Sequence, residues 1–169
     1  MNTARSFILA GLIIFLPSLA FATANLPSQT DRGSLIGKTA YDISLPTALG
    51  GQRSLSQACG GKKSVLFFWA TWCPHCHDEI MRMNADLSAI TAKGINIVLI
   101  SVGETKEQVA AYLKSNDVPL DSLLDEDNAL QEPYGLVGVP TLFFVDEKGV
   151  IRGMRHDFPD HYEELFSVQ

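Results

Sequence analysis

Residues 64–76 read Ser-Val-Leu-Phe-Phe-Trp-Ala-Thr-Trp-Cys-Pro-His-Cys, and this stretch predicts the centre of the fold. Its first seven residues, 64–70, form an apolar run rich in β-branched and aromatic side chains. Such a run is typical of a strand that is buried on both faces of a sheet. Pro74 suits the first turn of a helix, because its missing N–H would have no partner there. We therefore predict a buried strand that leads directly into a helix.

The rest of the chain alternates strand-like and helix-like segments. Apolar residues recur at spacings of three and four from Ile80 to Ile90, which predicts a helix that ends at Gly94. The other predicted strands are 41–45, 52–55, 95–102, 120–124, 141–145 and 150–154, and the other predicted helices are a segment from Thr105 to before Pro119, one near 128–134 and one at 159–168. Strands separated by helices predict an α/β fold with a partly parallel sheet, which the final hairpin at Gly149 makes mixed.

Composition and charge exclude several classes of protein. The 169 residues are 46% hydrophobic and 19% charged, which is typical of a globular domain. Lys and Arg number 13 and Asp and Glu 19, so the formal net charge is −6 and no nucleic-acid partner is expected. Three cysteines are too few for a disulfide scaffold, and an odd number leaves at least one outside any intrachain bridge.

The N-terminus has the layout of a secretory signal. Arg5 precedes an apolar core at 7–16, and Ala20-Phe-Ala22 places small residues where a signal peptidase cleaves. We predict a signal peptide at 1–22, a flexible leader at 23–35 and a folded domain at 36–169 in the periplasm or outside the cell. The alternative is an uncleaved anchor facing the periplasm, and only then is membrane contact expected. The 16 residues of 7–22 fall short of the ~20 that a spanning helix needs.

The motif Cys73-Pro-His-Cys76 predicts redox chemistry. Two cysteines two residues apart at a helix start can form a disulfide within one turn. Cys73 lies at the end where free backbone N–H groups and the helix dipole stabilise a thiolate. Cys76, one turn later, is the natural resolving thiol, which attacks a mixed disulfide. Pro74 and His75 are expected to tune the redox centre, since a positive charge on His75 would favour the reduced form.

Other interpretations of the same residues stay open. Cys73 to His77 also matches the C-x-x-C-H pattern of haem attachment. Two thiolates and two imidazoles within five residues could hold zinc or copper, although His75 and His77 do not easily converge with both sulfurs. A purely structural disulfide is the third interpretation, but so short a loop would constrain little unfolded-state entropy. We favour redox activity and expect no cofactor and no metal.

The segments Trp69-Ala-Thr-Trp-Cys-Pro-His-Cys76 and Gly138-Val-Pro-Thr141, with the following Phe-Phe-Val-Asp-Glu-Lys-Gly, resemble those of thioredoxin-fold proteins. More narrowly, they resemble the extracytoplasmic TlpA/ResA-type thiol-disulfide oxidoreductases over residues 36–168. The resemblance implies a thioredoxin-like three-layer fold, with a mixed central sheet and helices on both faces. Extra length around 103–131 resembles the αβ insertion of that branch between the C-x-x-C helix and the cis-proline strand. It does not resemble the helical insertion of the DsbA type, although that family shares the Cys-Pro-His-Cys motif.

The resemblance also implies a substrate-binding face. The Val139–Pro140 bond is expected to be cis and to face the disulfide, where the adjacent backbone can pair with an extended substrate. We expect Trp72 to form an apolar wall beside the two cysteines. Trp72, Val139 and Pro140 are therefore the candidate substrate-binding residues.

One acid is a candidate for proton transfer. Ordinary thioredoxins place a buried acid six residues before the first cysteine, where this chain has Phe67. The TlpA/ResA branch places a glutamate three residues after the second cysteine, and Glu79 occupies that position. Cys76 and Glu79 share one helix face, so Glu79 could exchange a proton with the resolving thiol. The alternative is an acid that is merely favoured by the helix dipole.

The implied activity is disulfide exchange with the thiols and disulfides of other proteins. The branch implies a reductive role, such as keeping apocytochrome cysteines ready for haem, with electrons from a membrane carrier. A disulfide-donating oxidase, favoured by His75, is one alternative, and a non-enzymatic haem or metal carrier is the other. We interpret Cys59 as a buried inert thiol, with intermolecular bridging or regulation left open.

Overall fold

A computed structural model describes residues 35–167 of the chain. The predicted signal peptide and all of the predicted leader except Leu35 lie outside the described residues. In chain order, the described elements are β1 (Ser44–Pro46), β2 (Gln52–Ser54), α1 (Leu55–Cys59), β3 (Lys63–Trp69), α2 (Pro74–Ala85), α3 (Leu87–Ala92), β4 (Ile95–Val102), α4 (Lys106–Ser115), β5 (Ser122–Asp125), β6 (Thr141–Val145), β7 (Ile151–Arg155) and a closing 3₁₀-helix (Tyr162–Phe166).

Five strands form a mixed central sheet in the order β5-β4-β3-β6-β7. The pairs β3–β4 and β4–β5 are parallel, whereas β3–β6 and β6–β7 are antiparallel. β1 and β2 form a separate antiparallel pair. The sheet is therefore mixed, as the sequence predicts, and α4 and β5 occupy the stretch where extra length is expected.

β3 is the centre of the sheet and is buried on both faces. Val65, Phe67 and Trp69 belong to a core with the residues of α2 and α4, while Leu66 and Phe68 belong to a second core on the opposite face. All five are 0% exposed. Because α1 and the segment 130–136 cover that second face, positions 65–69 of the strand all need an apolar side chain, which explains the unbroken apolar run there.

A short helix replaces part of a predicted strand. The chain turns into α1 at Leu55, where the Ser54 hydroxyl accepts the N–H of Gln57 and the Gln57 side chain accepts the N–H of Ser54. This reciprocal pair is a capping box, which favours a helix start. The strand predicted at 52–55 is therefore wrong at its last residue, and helix α1 is an element that the prediction missed.

The long helix predicted to end at Gly94 is two helices. α2 ends at Ala85, Asp86 caps its end, and α3 begins at Leu87. Ile80, Met83 and Ile90 are all buried in the same core, so the apolar period continues across the break and hides it. Aspartate is a poor residue inside a helix because its side chain competes for backbone hydrogen bonds.

Two further predicted helices are also corrected. In place of the helix predicted near 128–134, residues 129–135 form consecutive turns, and the buried Asp125 carboxylate accepts the N–H groups of Ala129 and Leu130 at 2.7 and 3.1 Å. Burial raises the pKa of Asp125, and these two hydrogen bonds oppose that rise. Within the described part of the helix predicted at 159–168, which ends at 167, the helical residues are those of the 3₁₀-helix Tyr162–Phe166.

The turn between β6 and β7 is held by one carboxylate. Asp146 accepts the N–H groups of Lys148 and Val150, each at 2.9 Å, and pairs with the Arg152 guanidinium at 2.8 and 2.9 Å. Burial acts to raise the pKa of Asp146, but the hydrogen bonds and the Arg152 charge outweigh it and the pKa is lowered. Gly149 completes the turn at φ +78°, as the sequence predicts.

We expect Asp146→Asn to lower the free energy of unfolding at pH 7 by about 1–3 kcal/mol, because an ionised hydrogen-bond partner is lost. The folded pKa lies below the unfolded one, so the stabilisation is complete above the unfolded pKa of about 3.9 and is lost as the pH falls through the folded pKa. Urea unfolding of both proteins at pH 7 and at about pH 3 measures this difference. The control is Glu147→Gln in the same turn. If the free energies of unfolding of Asp146→Asn and the native protein differ by the same amount at both pH values, the prediction is contradicted.

Candidate active site

The two cysteines of the motif form a disulfide at the start of α2. Their Cα atoms are 5.2 Å apart. Cys73 is the N-cap of the helix, and its Sγ accepts the N–H of Cys76 at 3.2 Å. Pro74 occupies the first helical position, where no N–H is needed. The end of a buried strand and the beginning of a helix therefore place a sulfur among backbone donors, which is an environment that stabilises a thiolate.

The two cysteines differ in their exposure. Both belong to the same core cluster, but Cys73 is 5% exposed whereas Cys76 is 0% exposed. Pro74 and His75, which separate them, are both exposed. An incoming thiol or disulfide therefore has access only to the side of Cys73.

A tight turn presents this site. The N–H of Cys73 donates to the carbonyl of Ala70 at 3.2 Å, so Thr71 and Trp72 occupy the middle of the turn. Trp72, at the tip of this turn, is 70% exposed. An aromatic ring this exposed is available for contact with a partner.

The second wall of the site comes from a segment far away in sequence. The Val139–Pro140 peptide bond is cis, and the carbonyl oxygen of Val139 lies 3.7 Å from the Sγ of Cys73. Val137, two residues earlier, is 93% exposed. A shallow groove is lined by Trp72, Val102, Leu136, Val137 and Val139, among others. The structure thus brings together Cys73, Trp72, Val139 and Pro140.

Glu79 lies on the same side of α2 as Cys76 but its contacts lead elsewhere. Its Oε2 accepts the N–H of Phe158 at 3.0 Å, and its Oε1 lies 3.7 Å from the Arg82 guanidinium. Its side chain is 14% exposed. Among the contacts described for residues 35–167, none joins this carboxylate to the sulfur of Cys76.

The two histidines of the motif point to different surroundings. His75 is exposed, whereas the Nδ1 of His77 lies 2.7 Å from the hydroxyl of Tyr112 on α4. Burial, followed by the charge of Asp78, raises the pKa of Tyr112. Within residues 35–167, no group of three or more His, Cys, Asp or Glu side chains is placed to hold a metal ion.

Cys59 lies at the end of α1, apart from the other two cysteines. Its thiol is free and half-buried, and it lines a cavity with Leu55, Leu66 and Val145. Burial raises the pKa of Cys59, so little thiolate forms at neutral pH. The thiol is therefore less buried than the sequence interpretation expected, and its inertness stays a prediction.

Glu104 is a residue near the site that the sequence analysis did not single out. It is 4% exposed, and its carboxylate accepts the N–H and the hydroxyl of Thr71 in the active-site turn. The predicted parallel pairing of β3 and β4 would have indicated that Glu104 lies near the active-site turn. Residues just after two neighbouring parallel strands meet at one sheet edge.

Comparison with known proteins identifies relatives of the whole domain. The sequence profile of the AhpC/TSA family matches residues 36–154. The chain is 31% identical over 160 residues to the thiol:disulfide interchange protein DsbE of Allochromatium vinosum, which covers 92% of this chain and 86% of the relative. It is 29% identical over 148 residues to the thiol-disulfide oxidoreductase ResA of Bacillus subtilis, covering 87% and 82% respectively.

A solved structure shares the fold. The crystal structure of a protein described as a thiol:disulfide interchange protein DsbE from Chlorobium tepidum superposes with a TM-score of 0.67 and 26% identity. The superposition covers 78% of this chain and 92% of the other. Separately, no helix within residues 35–167 is long and apolar enough to cross a bilayer.

Proposed function

The chain belongs to the AhpC/TSA family of thioredoxin-like proteins and is a thiol-disulfide oxidoreductase of the ResA/DsbE type, and on this premise we propose that it reduces protein disulfides outside the cytoplasm. The observation that carries the exchange activity is the asymmetric disulfide, whereas the reductive direction is proposed from the family resemblance. Cys73 caps α2 and is 5% exposed, while Cys76 is 0% exposed. This is the arrangement that an attacking thiol and a resolving thiol require.

The reaction takes two exchange steps. In the reduced enzyme, the Cys73 thiolate attacks one sulfur of a substrate disulfide and forms a mixed disulfide, and the other substrate sulfur leaves as a thiolate that takes up a proton. The Cys76 thiolate then attacks the Sγ of Cys73, which re-forms the Cys73–Cys76 bond and releases the second substrate thiolate. Two electrons pass from the enzyme dithiol to the substrate, and the short Cys73–Cys76 separation makes the second step intramolecular.

The substrate is a protein segment bound beside Cys73. Trp72 and Val137 provide exposed apolar surface in the lining of the groove. The backbone at Val139 lies within 4 Å of the Cys73 sulfur and precedes β6, so it can pair with an extended chain by strand addition. Trp72, Val139 and Pro140 are therefore assigned to substrate binding.

The remaining site residues adjust the chemistry. Glu79 is assigned the transfer of a proton to and from Cys76, which lies one helical turn before it. Pro74 and His75 are assigned the tuning of the redox centre, since both are exposed next to Cys73. A positive charge on His75 would stabilise the thiolate and raise the reduction potential.

The N-terminal sequence and the family resemblance support the cellular role that we propose. A signal peptide at 1–22 sends the domain 36–169 to the periplasm, and a membrane electron carrier re-reduces the disulfide. The substrates are cysteine pairs of the cytochrome c maturation type, which must be reduced before haem attachment. The alternative direction, donation of the disulfide by an oxidase, is favoured by the exposed His75 of the Cys-Pro-His-Cys motif.

Redox titration against glutathione, with a Cys59→Ser variant so that only Cys73 and Cys76 titrate, tests the direction. The reductive role predicts a reduction potential of about −270 mV, and a value of about −120 mV would contradict it and support the oxidase. The matched variant His75→Ala is expected to lower the potential, because it removes the imidazole beside the thiolate.

A further inference from the structure

A buried carboxylate lies directly behind the active-site turn. Glu104 follows the end of β4, and its Oε2 accepts the N–H of Thr71 at 2.8 Å and the hydroxyl of Ser101 at 2.9 Å. Its Oε1 accepts the hydroxyl of Thr71. Ser101 is 0% exposed, and Glu104 is 4% exposed. Three donors therefore converge on one carboxylate that the exchange mechanism does not use.

These hydrogen bonds fix a turn whose last residue is Cys73. The N–H of Cys73 closes the turn on the carbonyl of Ala70, and both polar groups of Thr71 that can donate are directed to Glu104. The turn is thereby attached to β4, the parallel neighbour of β3. Trp72, with its exposed ring, and Cys73, with the reactive sulfur, come directly after Thr71 in this turn.

We propose that Glu104 is a positioning residue, whose carboxylate orients the turn so that Cys73 and Trp72 face the substrate. The proposal rests on the function proposed above, in which Cys73 is the attacking thiol. Glu104 acts through the length of its side chain rather than through its charge, because three hydrogen-bond donors already stabilise the buried carboxylate. A displacement of about 1 Å in a reacting group can slow a reaction by about a hundredfold, so loss of the fixed turn should measurably lower the rate of exchange.

Two substitutions distinguish the effect of the side-chain length of Glu104 from the effect of its charge. Glu104→Gln keeps the length of the side chain: its carbonyl oxygen can accept from Thr71 N–H and Ser101, and its amide can donate to the Thr71 hydroxyl oxygen. Glu104→Asp keeps the charge but is shorter by one carbon–carbon bond, about 1.5 Å. If Glu104 acts by position, the glutamine variant resembles the native protein and the aspartate variant does not.

The experiment uses the reduced full chain with Cys59→Ser. Insulin is the disulfide probe for the exchange rate, and iodoacetamide reports the pH profile of Cys73. We expect Glu104→Asp to reduce insulin at least about tenfold more slowly than the native protein. Glu104→Gln should stay within about twofold and keep the native pH midpoint of alkylation. A native rate in Glu104→Asp overturns the proposal, and so does a slow Glu104→Gln or a shifted midpoint.

A second variant covers the case in which Glu104→Asp does not fold. Thr71→Val removes one of the three donors and keeps the shape of the side chain, and we expect it to reduce insulin about threefold more slowly. A native rate in Thr71→Val then overturns the proposal. Mass spectrometry of the alkylated native protein distinguishes a failure of the proposed function from a failure of the role of Glu104. Modification of Cys76 instead of Cys73 contradicts the proposed function, whereas native rates in the variants contradict only the role of Glu104.

Discussion

A Cys76→Ser enzyme should accumulate as a covalent adduct with its substrate. Cys73 still attacks and forms the mixed disulfide, but the serine hydroxyl cannot displace the substrate sulfur, so the second exchange step stops. Cys73→Ser should form no adduct, because Cys76 is 0% exposed and an incoming disulfide does not reach it. Turnover falls by about a thousandfold or more in both variants, since each loses a group that acts only together with the other.

Non-reducing electrophoresis and mass spectrometry of the mixed disulfide measure this outcome, with the disulfide form of a cysteine-containing peptide as substrate and the enzyme reduced beforehand. Cys59→Ser is the matched control, because it removes a thiol that is half-buried and distant in sequence from the motif. We expect it to keep native turnover and to form no adduct. An adduct in Cys73→Ser, or none in Cys76→Ser, would reverse the assignment of attacking and resolving thiols.

Local sequence patterns predicted the elements that carry the site. The bounds of Ile95–Val102 and Thr141–Val145 are as predicted, and β3 differs by one residue at each end. Each of these strands is an apolar run bordered by polar or turn-forming residues, so its length can be read from the chain itself. The motif Cys73-Pro-His-Cys76 begins a helix for an equally local reason, the proline in its first turn.

Contacts between distant segments were beyond such patterns. Glu104 reaches Thr71 across 33 residues and Glu79 reaches Phe158 across 79 residues. Neither pair has a spacing that a period or a turn signal reveals, because sheet topology brings the partners together. The break at Asp86 and the turns in place of the helix predicted near 128–134 were missed because apolar residues continue through both segments.

Glu79 has a contact that the sequence did not predict, and that contact makes its substitution informative. In Glu79→Gln the amide oxygen can still accept the N–H of Phe158, so the attachment of that segment survives while proton transfer is lost. We expect release of glutathione from a Cys73 mixed disulfide to slow by about 10- to 100-fold, since Cys76 must lose its proton where water is excluded. The first step, alkylation of Cys73, should be unchanged.

The pH dependence of that release separates proton transfer from a purely structural role. An acid–base role predicts that the rate profile between about pH 4 and pH 8 changes shape in Glu79→Gln. Arg82→Ala is the control for the loss of the attachment at Phe158, because Arg82 contacts the Phe158 carbonyl and Asp160. Since the Arg82 guanidinium also lies 3.7 Å from the Glu79 carboxylate, only the shape of the Glu79→Gln profile decides between the two roles. If Glu79→Gln keeps the native profile, Glu79 only holds the segment at Phe158. If Glu79→Gln alone changes the profile, the proton of Cys76 passes through this carboxylate, and the enclosed sulfur has a route to ionise.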